Sequence, residues 1–405
     1  MSDKMWTHVK LSDIGSIIGG ATPSTSKELY YGGDIPWLTP KDLSNFHGRY
    51  IDRGERNITQ EGLNSCSAQL LPAGSVLFSS RAPIGYIAIA KNPIATNQGF
   101  KSIIPNPDKV DNLFLYYLLK YNKKNIEAMG SGTTFKEVSG ATMKNIEVMI
   151  PPLAEQKRIA AILGALDDKI ELNRRINANL EEQAKALFKS WFVDFEPFKD
   201  GNFVDSELGP IPVGWRVGDF TEIVAIKGGG TPKTDVAEYW GGIIPFFTPK
   251  DVSDSCYVLK TEKYITDCGL DHCSSALYKK GTVFITARGT VGKIVMAGCN
   301  MAMNQTNYAL LGKEGINQLF VYNLTIKLAD RLLKKSNGAV FNAITVRDFE
   351  SEKIIIPQHD VLLNFGSVVA PIYAMILHHN NQMENLISLR DTLLPKLMSR
   401  GINME

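Results

Sequence analysis

Short apolar runs bounded by glycine or proline characterise residues 6–150. Such runs are typical of strands separated by turns, and they predict strands at residues 76–78, 87–89, 103–104 and 148–150. Residues 112–130 instead carry apolar residues at helical spacing and end at a glycine, which predicts a helix. Residues 215–356 repeat this order, with a helix predicted at residues 319–335. The pattern therefore predicts two globules of mixed α/β structure.

A different pattern follows each globule. Residues 153–191 contain no proline and one glycine, and apolar residues recur at spacings of three and four, as in a coiled coil. The predicted seam has two asparagine layers and consists of Leu163, Leu166, Ile170, Asn173, Asn177, Leu180, Ala184, Leu187 and Trp191. A second seam lies 206 residues later and includes Val369, Ile372, Ile376, His379, Met383, Leu386, Leu393 and Leu397. A helix of this length, at ~1.5 Å per residue, is a rod of roughly 55 Å.

The two halves of the chain also repeat each other residue by residue, 206 to 209 positions apart. Matched pairs include Thr22/Thr231, Pro36/Pro245, Lys41/Lys250, Arg81/Arg288, Asn97/Asn304, Gln98/Gln305 and Pro151/Pro357. A period this long indicates a duplicated domain and is too large for a solenoid unit. We therefore expect an α/β (α+β) fold with two similar globules joined by two long antiparallel coiled-coil helices, a dumbbell with a pseudo-two-fold axis.

The expected division of the chain is a first globule at residues 1–152, a first spacer helix at 153–192, a linker at 193–214, a second globule at 215–357, and a second spacer helix with a C-terminal tail at 358–405. The proline, glycine and acidic residues of the linker predict a flexible connection. Such a connection lets the chain turn back, so that the second helix can run antiparallel to the first.

Composition limits the class of protein and its location. The 405 residues carry a net charge of +2, and 44% are hydrophobic, as in an ordinary folded protein. A near-neutral total argues against indiscriminate coating of DNA, but it leaves room for a local basic face. The N-terminus lacks an apolar signal segment, and no run of 18 apolar residues occurs. We therefore expect a cytoplasmic chain with no membrane partner.

The five cysteines do not predict a metal site or a disulfide framework. They contain no C-x-x-C pair of the kind that binds zinc, and an odd number is a poor disulfide framework. Cys268, His272 and Cys273 stand close together in the sequence, but Cys273 repeats Cys66, which has no neighbouring histidine or cysteine. This comparison favours small packing residues over metal ligands.

The sequence contains no convincing catalytic motif. Residues 289–294 contain a Gly-Lys pair without the spacing of a phosphate loop. Asp167, Asp168 and Lys169 match the end of a nuclease motif, but they lie in the heptad helix, where a charged run is usually a solvated face. The chain is therefore expected to bind a target without catalytic residues, metal or cofactor of its own.

Three segments resemble the DNA-specificity (S) subunits of type I restriction–modification systems. They are the block ending in I-P-x-x-T-P-K-D at residues 30–42 and 239–251, the start of the first long helix at residues 150–177, and residues 389–402. One departure is visible at the start of the second helix, which lacks the P-P-L-A-E-Q-K-R-I form and gains Pro371. Pro371 there suggests a kink or the true start of the helix.

The resemblance implies a division of labour among subunits. Each globule would be a target-recognition domain that reads one half of a split double-stranded DNA sequence, and the coiled coil would set the gap between the halves. The helices would also bind two modification (methyltransferase) subunits, which carry S-adenosylmethionine. Two restriction (motor-nuclease) subunits, which use ATP and Mg²⁺, would complete the enzyme. The chain itself would hold none of these cofactors.

Candidate DNA-binding residues are basic side chains in the segments where the two copies differ most, residues 45–57 and 254–264, together with basic side chains outside these segments, most of which are kept in both copies. Arginine can pair with guanine through two hydrogen bonds, whereas lysine more often meets phosphate. The candidates are Lys41, Arg49, Arg53, Arg56, Arg81, Lys136, Lys250, Lys260, Lys263 and Arg288. The alternatives are solvated loops for the divergent segments and a role in bracing the fold for the residues kept in both copies.

Candidate partner-binding residues are apolar positions off the heptad seams, namely Ile159, Ile162, Ile176, Phe188, Leu377 and Ile387. A two-helix coil leaves such a stripe exposed unless the globules cover it, and an exposed stripe favours an interface. Two other functions stay open at this point: a scaffold that binds only proteins, and an enzyme with an unrecognised site, such as a nuclease that uses Asp167.

Overall fold

The computed structural model describes residues 6–132, 136–336 and 343–399. The chain forms two compact units. The first comprises residues 1–171 and 385–405, and the second comprises residues 172–384. Each unit therefore combines one globule with parts of both long helices.

The first globule contains ten strands and four helices among its described residues. The strands are β1 (Thr7–Lys10), β2 (Gly15–Gly19), β3 (Tyr31–Leu38), β4 (Tyr50–Ile51), β5 (Arg56–Ile58), β6 (Val76–Ser80), β7 (Ile84–Ala90), β8 (Ala95–Thr96), β9 (Lys101–Pro105) and β10 (Glu147–Ile150). The helices are α1 (Leu11–Ile14), α2 (Gln60–Asn64), α3 (Asn112–Ala128) and α4 (Gly140–Asn145). Two 3-10 turns lie at Glu28–Tyr30 and Pro40–Leu43.

These strands form three sheets, and their buried side chains group into three hydrophobic clusters. A five-stranded sheet has the order β2-β9-β6-β7-β4, a three-stranded sheet has the order β5-β3-β8, and β1 pairs with β10. Strand β6 is buried along its whole length, as expected of a central strand covered on both faces. Helix α3 packs its Phe114–Leu119 segment into the hydrophobic cluster that contains Val76 and Phe78 of β6. Asp111 caps the start of α3, because its side chain accepts a hydrogen bond of 2.9 Å from the Phe114 backbone N–H.

Helix α5 (Leu153–Phe192) follows the first globule, and a linker with strands β11 (Phe203–Val204) and β12 (Ile211–Pro212) and a 3-10 turn at Glu196–Phe198 comes next. The strands of the second globule are β13 (Arg216–Asp219), β14 (Val224–Gly228), β15 (Trp240–Phe247), β16 (Tyr257–Val258), β17 (Lys263–Ile265), β18 (Val283–Thr286), β19 (Ile294–Ala297), β20 (Ala302–Met303), β21 (Asn307–Gly312) and β22 (Lys353–Ile356). Its helices are α6 (Phe220–Ile223), α7 (Asp267–Asp271), α8 (Gln318–Ser336) and α9 (Val346–Glu350), with 3-10 turns at Ala237–Tyr239 and Pro249–Asp251. Helix α10 (His359–Met398) ends the described chain.

The second globule repeats the sheet topology of the first. Its sheets have the orders β14-β21-β18-β19-β16 and β17-β15-β20, and β13 pairs with β22. Even a register shift in the three-stranded sheet recurs, between Tyr31 and Ile35 in one copy and between Trp240 and Ile244 in the other. The duplicated globules of mixed helices and sheets and the long helix that follows each of them, as predicted from the sequence, are confirmed.

Within the second unit, the two long helices run antiparallel and bond through the predicted polar layers. Asn173 donates to Gln382 at 2.7 Å, and Asn177 donates to Asn380 at 2.8 Å. The His379 ring nitrogen Nδ1 lies 2.9 Å from the side-chain amide oxygen of Asn177. Buried amides are stable only when they are hydrogen-bonded, so these pairs favour one register of the helices.

Pro371 does not mark the start of the second long helix, because α10 begins at His359 and continues past Pro371. Pro371 is exposed, so the carbonyl that loses its helical N–H partner lies on the solvent side of the helix. By length and composition alone, α10 is the one helix among those described that could cross a membrane. Its residues Phe365, Val369 and Ile376 are fully buried in the core of the second unit, so part of its apolar surface serves packing.

An aromatic cluster joins the end of α5 to the second globule. The Phe192 ring lies 4.9 Å from the Phe365 ring, 5.0 Å from the Phe320 ring and 5.9 Å from the Trp215 ring, measured between centroids. Phe188 lies 5.1 Å from Phe192 in the same cluster. Aromatic side chains contribute more buried area than any others, so this cluster anchors α5 to the second unit.

The substitution Phe192→Ala should lower the free energy of unfolding by about 3–5 kcal/mol, because it leaves a cavity among four rings. Urea titration followed by circular dichroism measures the change. Phe203→Ala is the matched control, since Phe203 is partly exposed, and it should cost less than about 1 kcal/mol. Equal losses from the two variants would contradict the anchoring role.

Candidate nucleic-acid interface

The T-P-K-D block forms the same capped turn in both globules. In the first copy, the Asp42 carboxylate accepts from the backbone N–H and from the hydroxyl of Thr39, both at 2.7 Å. In the second copy, Asp251 accepts from Thr248 in the same way, at 2.7 and 2.8 Å. Proline at the first position of the turn and aspartate at the third suit this capping geometry. The turn begins the divergent segment of each globule.

Lys41 and Lys250, which lie inside these turns, are both exposed. The Lys41 side chain is 78% exposed and forms an ion pair of 3.0 Å with Glu55 at the far end of the divergent segment. Such an exposed pair contributes little stability, so Lys41 is available to a phosphate group. Lys250 is exposed at the same position of the second copy.

The three arginines of the first divergent segment have different environments. Arg53 and Arg56 are exposed, and Arg56 begins strand β5. Arg56 is also close enough to Tyr31 to affect its ionisation: burial raises the pKa of Tyr31, and the Arg56 charge acts in the opposite direction. Arg49 differs, because its side chain is only 9% exposed and forms an ion pair with Asp168 of α5. A base contact by Arg49 stays a prediction, but this structure uses its guanidinium to hold the segment against α5.

The lysines of the second divergent segment are exposed and partly engaged. Lys260 forms an ion pair of 2.9 Å with Glu384 of α10, and the bond to this carboxylate raises the pKa of Lys260. The Lys263 ammonium lies 5.3 Å from the centre of the Trp240 ring. Lys263 therefore lies beside an aromatic ring, and Arg56 at the equivalent position of the first globule acts electrostatically on Tyr31.

The remaining basic candidates lie on other loops. Arg81 forms an ion pair of 3.5 Å with Glu137, which also pairs with Lys101 at 3.1 Å. Lys136 is exposed beside Glu137, and Arg288 is exposed in the loop between β18 and β19. Among the first-copy candidates, three are therefore paired with carboxylates: Lys41 with Glu55, Arg49 with Asp168 and Arg81 with Glu137. Arg53, Arg56 and Lys136 are exposed.

The repeated Asn-Gln pairs brace turns. Asn97 accepts from the Gly99 backbone N–H at 2.8 Å, and Asn304 accepts from the Thr306 hydroxyl at 2.7 Å. Gln98 bonds to Thr22, and Gln305 bonds to Thr231, again at matching positions. These bonds support the bracing alternative for the Asn-Gln pairs.

Sequence reasoning missed two pairs of residues in this region. Trp240 lies beside Lys263 and Tyr31 occupies the equivalent position of the first copy, while Glu55 and Glu262 occupy equivalent positions at the ends of the divergent segments. The glutamates recur at the same offset of 207 as the Ile58/Ile265 pair beside them, so an alignment of the two copies could have found them.

The prediction of an exposed apolar stripe on the long helices is wrong at Ile159, Phe188 and Leu377. They are 1%, 5% and 7% exposed, because the globule of their own unit covers them. Ile162 is half-buried against the first core, and Ile176 and Ile387 are half-buried. The apolar side chains that the long helices leave exposed within the second unit are instead Leu172, Leu363, Val368 and Met375.

The candidate nuclease residue Asp167 is a structural carboxylate. Tyr117 donates to one oxygen at 2.6 Å, and Arg390 donates to the other at 2.6 Å. Among the described residues there is no group of three histidine, cysteine or acidic residues that could hold a metal ion. Cys268 contacts His272 at 3.7 Å, and burial raises the pKa of the Cys256 thiol, which favours its neutral form.

Comparison with known proteins identifies the family. The family described as the type I restriction modification DNA specificity domain matches residues 3–182 and 212–361. The chain belongs to this type I DNA-specificity family. It is therefore a specificity subunit, the DNA-recognition component of a type I restriction–modification system, and such subunits assemble with the other subunits of the system.

Individual relatives agree with this assignment. The chain is 37% identical to the type I restriction enzyme MjaIX specificity subunit of Methanocaldococcus jannaschii, over 99% of this chain and 94% of the relative. It is 26% identical to the HindI specificity subunit of Haemophilus influenzae, over 75% of this chain and 80% of the relative. The crystal structure of an S subunit from M. genitalium superposes with a TM-score of 0.60 at 16% identity, covering both chains fully, which shows a shared fold.

The two environments of the basic residues in this specificity subunit predict different mutant effects. Arg49→Ala should lower the free energy of unfolding by about 1 kcal/mol, because Asp168 loses its partner. Arg53→Ala should leave stability within about 0.5 kcal/mol, because Arg53 is exposed. Thermal unfolding of the two variants checks this difference. A larger loss from Arg53→Ala than from Arg49→Ala would contradict it.

Proposed function

We propose that this specificity subunit reads a split sequence in double-stranded DNA, with one half read by each globule. The observation that carries the proposal is the pair of divergent segments held by identical anchors. The two globules share their sheet order and the capped T-P-K-D turn, yet the segments between the anchors differ in sequence and in length. Two domains with the same fold but different contact surfaces suit two different half-sites.

The exposed side chains of the segments supply the required chemistry. Arg53 and Arg56 in the first globule can donate two hydrogen bonds each to a guanine edge or to phosphate. Lys250, Lys260 and Lys263 in the second globule suit phosphate contacts, which set register on the duplex. We assign the first globule's contacts to Lys41, Arg53 and Arg56 before Arg49, because the latter is bonded to α5.

The chemistry of modification and cleavage belongs, in this proposal, to the partner subunits. Two methyltransferase subunits would bring S-adenosylmethionine, and two restriction subunits would bring ATP and Mg²⁺. The chain would contribute recognition and assembly in the cytoplasm, without a cofactor or a catalytic residue of its own. The bonds that occupy both oxygens of Asp167 disfavour the alternative of a nuclease that uses this residue.

We place the methyltransferase contact on the exposed apolar side chains of the helices. Val368 and Met375 are 44% and 50% exposed and stand two turns apart on one face of α10. The most apolar stretch of α10 is less than half buried. Apolar surface of this kind on a helix favours a protein partner.

Exchange of one globule tests the division of recognition. Replacing residues 6–150 by the corresponding domain of another specificity subunit should change one half of the methylated sequence and leave the other half intact. Sequencing of methylated adenines in DNA modified by the assembled complex reads out both halves. A change in both halves would refute independent reading.

Salt dependence separates DNA recognition from a scaffold that binds only proteins. The affinity of the assembled complex for a cognate duplex should fall steeply with salt, by about 0.9 in the logarithm per phosphate contact for each tenfold increase. Arg53→Ala should reduce that slope by about 1. An assembled complex that does not bind the duplex even at low salt would favour the scaffold alternative.

A charged substitution tests the partner surface. Met375→Asp should abolish co-purification of the methyltransferase subunit, because a carboxylate cannot be buried against an apolar partner without a large cost. Met375→Leu is the matched control and should keep the complex. Circular dichroism of both variants verifies folding. A complex that keeps two methyltransferase subunits with Met375→Asp would show that docking occurs elsewhere.

A further inference from the structure

One carboxylate closes the divergent segment in each globule. Besides capping the T-P-K-D turn, Asp42 accepts a hydrogen bond of 2.7 Å from the backbone N–H of Glu55. Asp251 does the same for the backbone N–H of Glu262, at 2.6 Å. Each carboxylate therefore accepts three bonds, two from the start of the segment and one from its end.

The same hydrogen bond closes the segment in both globules, although the two segments differ in length and sequence. Twelve residues, 43–54, separate Asp42 from Glu55, whereas ten residues, 252–261, separate Asp251 from Glu262. Within these ranges the two copies share only the serine beside the turn, Ser44 or Ser253, and the strand that each contributes, β4 or β16, which begins with a tyrosine. A contact that survives a change in length and sequence defines where the segment begins and ends, whatever lies between.

The closure also directs the side chains that face DNA in the proposed function. Arg56 and Lys263 come directly after the bonded residues and are the first residues of β5 and β17. The bond to the preceding N–H thus fixes the point from which each cation leaves the backbone. Gly54 permits the close approach in the first copy, because a Cβ there would lie 2.9 Å from the Asp42 carboxyl carbon.

We propose that Asp42 and Asp251 are positioning residues for sequence recognition, each for the half-site of its own globule. The inference rests on the proposed function, in which the divergent segments read DNA. Aspartate suits the task because both oxygens accept and neither donates. An asparagine could still cap the turn with its oxygen, but its amide nitrogen would then face the N–H of Glu55 or Glu262, and the closing bond would be lost.

The test uses the full chain assembled with its methyltransferase subunits. Methylation rates are measured on the cognate duplex and on duplexes with single-base changes in each half. Asp42→Asn should reduce discrimination in the half read by the first globule about tenfold, as expected for the loss of a hydrogen bond to a charged group. Discrimination in the other half should not change. Asp251→Asn should give the reciprocal result.

Thr39→Val is the matched control, because it removes the hydrogen bond that the Thr39 hydroxyl donates to Asp42. It leaves the bond that the Glu55 backbone N–H donates to Asp42. It should lower the thermal unfolding midpoint without reducing sequence discrimination in either half of the DNA site. Should Asp42→Asn fail to fold, Gly54→Ala perturbs the same closure from the side of the segment by crowding Asp42. It should also relax only the first half.

The outcomes separate this inference from the function on which it rests. A wild-type complex that methylates no split sequence would overturn both. The positioning role alone would be overturned if the wild-type complex methylates a split sequence but Asp42→Asn leaves discrimination unchanged in both halves. It would also be overturned if Asp42→Asn reduces discrimination in both halves. Relaxation by Thr39→Val equal to that by Asp42→Asn would also overturn it, because general destabilisation would then explain both.

Discussion

A buried hydrogen bond fastens each globule to a long helix of its own unit. Tyr117 of α3 donates to Asp167 of α5 at 2.6 Å, and Asn323 of α8 donates to Tyr373 of α10 at 2.9 Å. Tyr117 and Asn323 stand 206 positions apart, as do Asp167 and Tyr373, so the bond occupies one position of the repeat with different chemistry in each copy. An orphaned polar group at this depth costs more free energy than the bond contributes, so neither partner can change alone.

These hydrogen bonds between globule and helix determine which faces of the long helices stay exposed to solvent. Because each globule is held against its helix, it covers positions off the heptad seam, and Ile159 and Phe188 become core residues. In the first unit, Arg390 of α10 satisfies the second oxygen of Asp167, so one carboxylate joins α3, α5 and α10. The apolar side chains left outside, such as Val368 and Met375, are those that no globule reaches.

Periodicity was sufficient for the elements, because strand and helix patterns are properties of adjacent residues. It predicted the strands around Phe78 and Ile89, the long helices and their polar seam positions. It could not predict the burial of Phe188, which depends on rings that lie far away in the sequence, such as Phe320 and Phe365. The ion pair of Arg49 with Asp168 spans 119 residues and leaves no local signal, so Arg49 was grouped with the exposed arginines.

Each divergent segment meets the helices through bonds that its counterpart lacks. Where the first copy has Arg49 bonded to Asp168, the second has Cys256, whose backbone N–H donates to Glu181 at 3.1 Å. Lys260 of the second segment bonds to Glu384 of α10. A segment transplanted alone would therefore leave a helix carboxylate without its partner and bring a group that the new helix does not accept. The Asp168 and Glu384 carboxylates are 73% and 39% exposed, so each lost bond costs no more than about 1 kcal/mol. Recognition segments can therefore be exchanged without the helices behind them, while the carboxylate closure and the sheets stay constant.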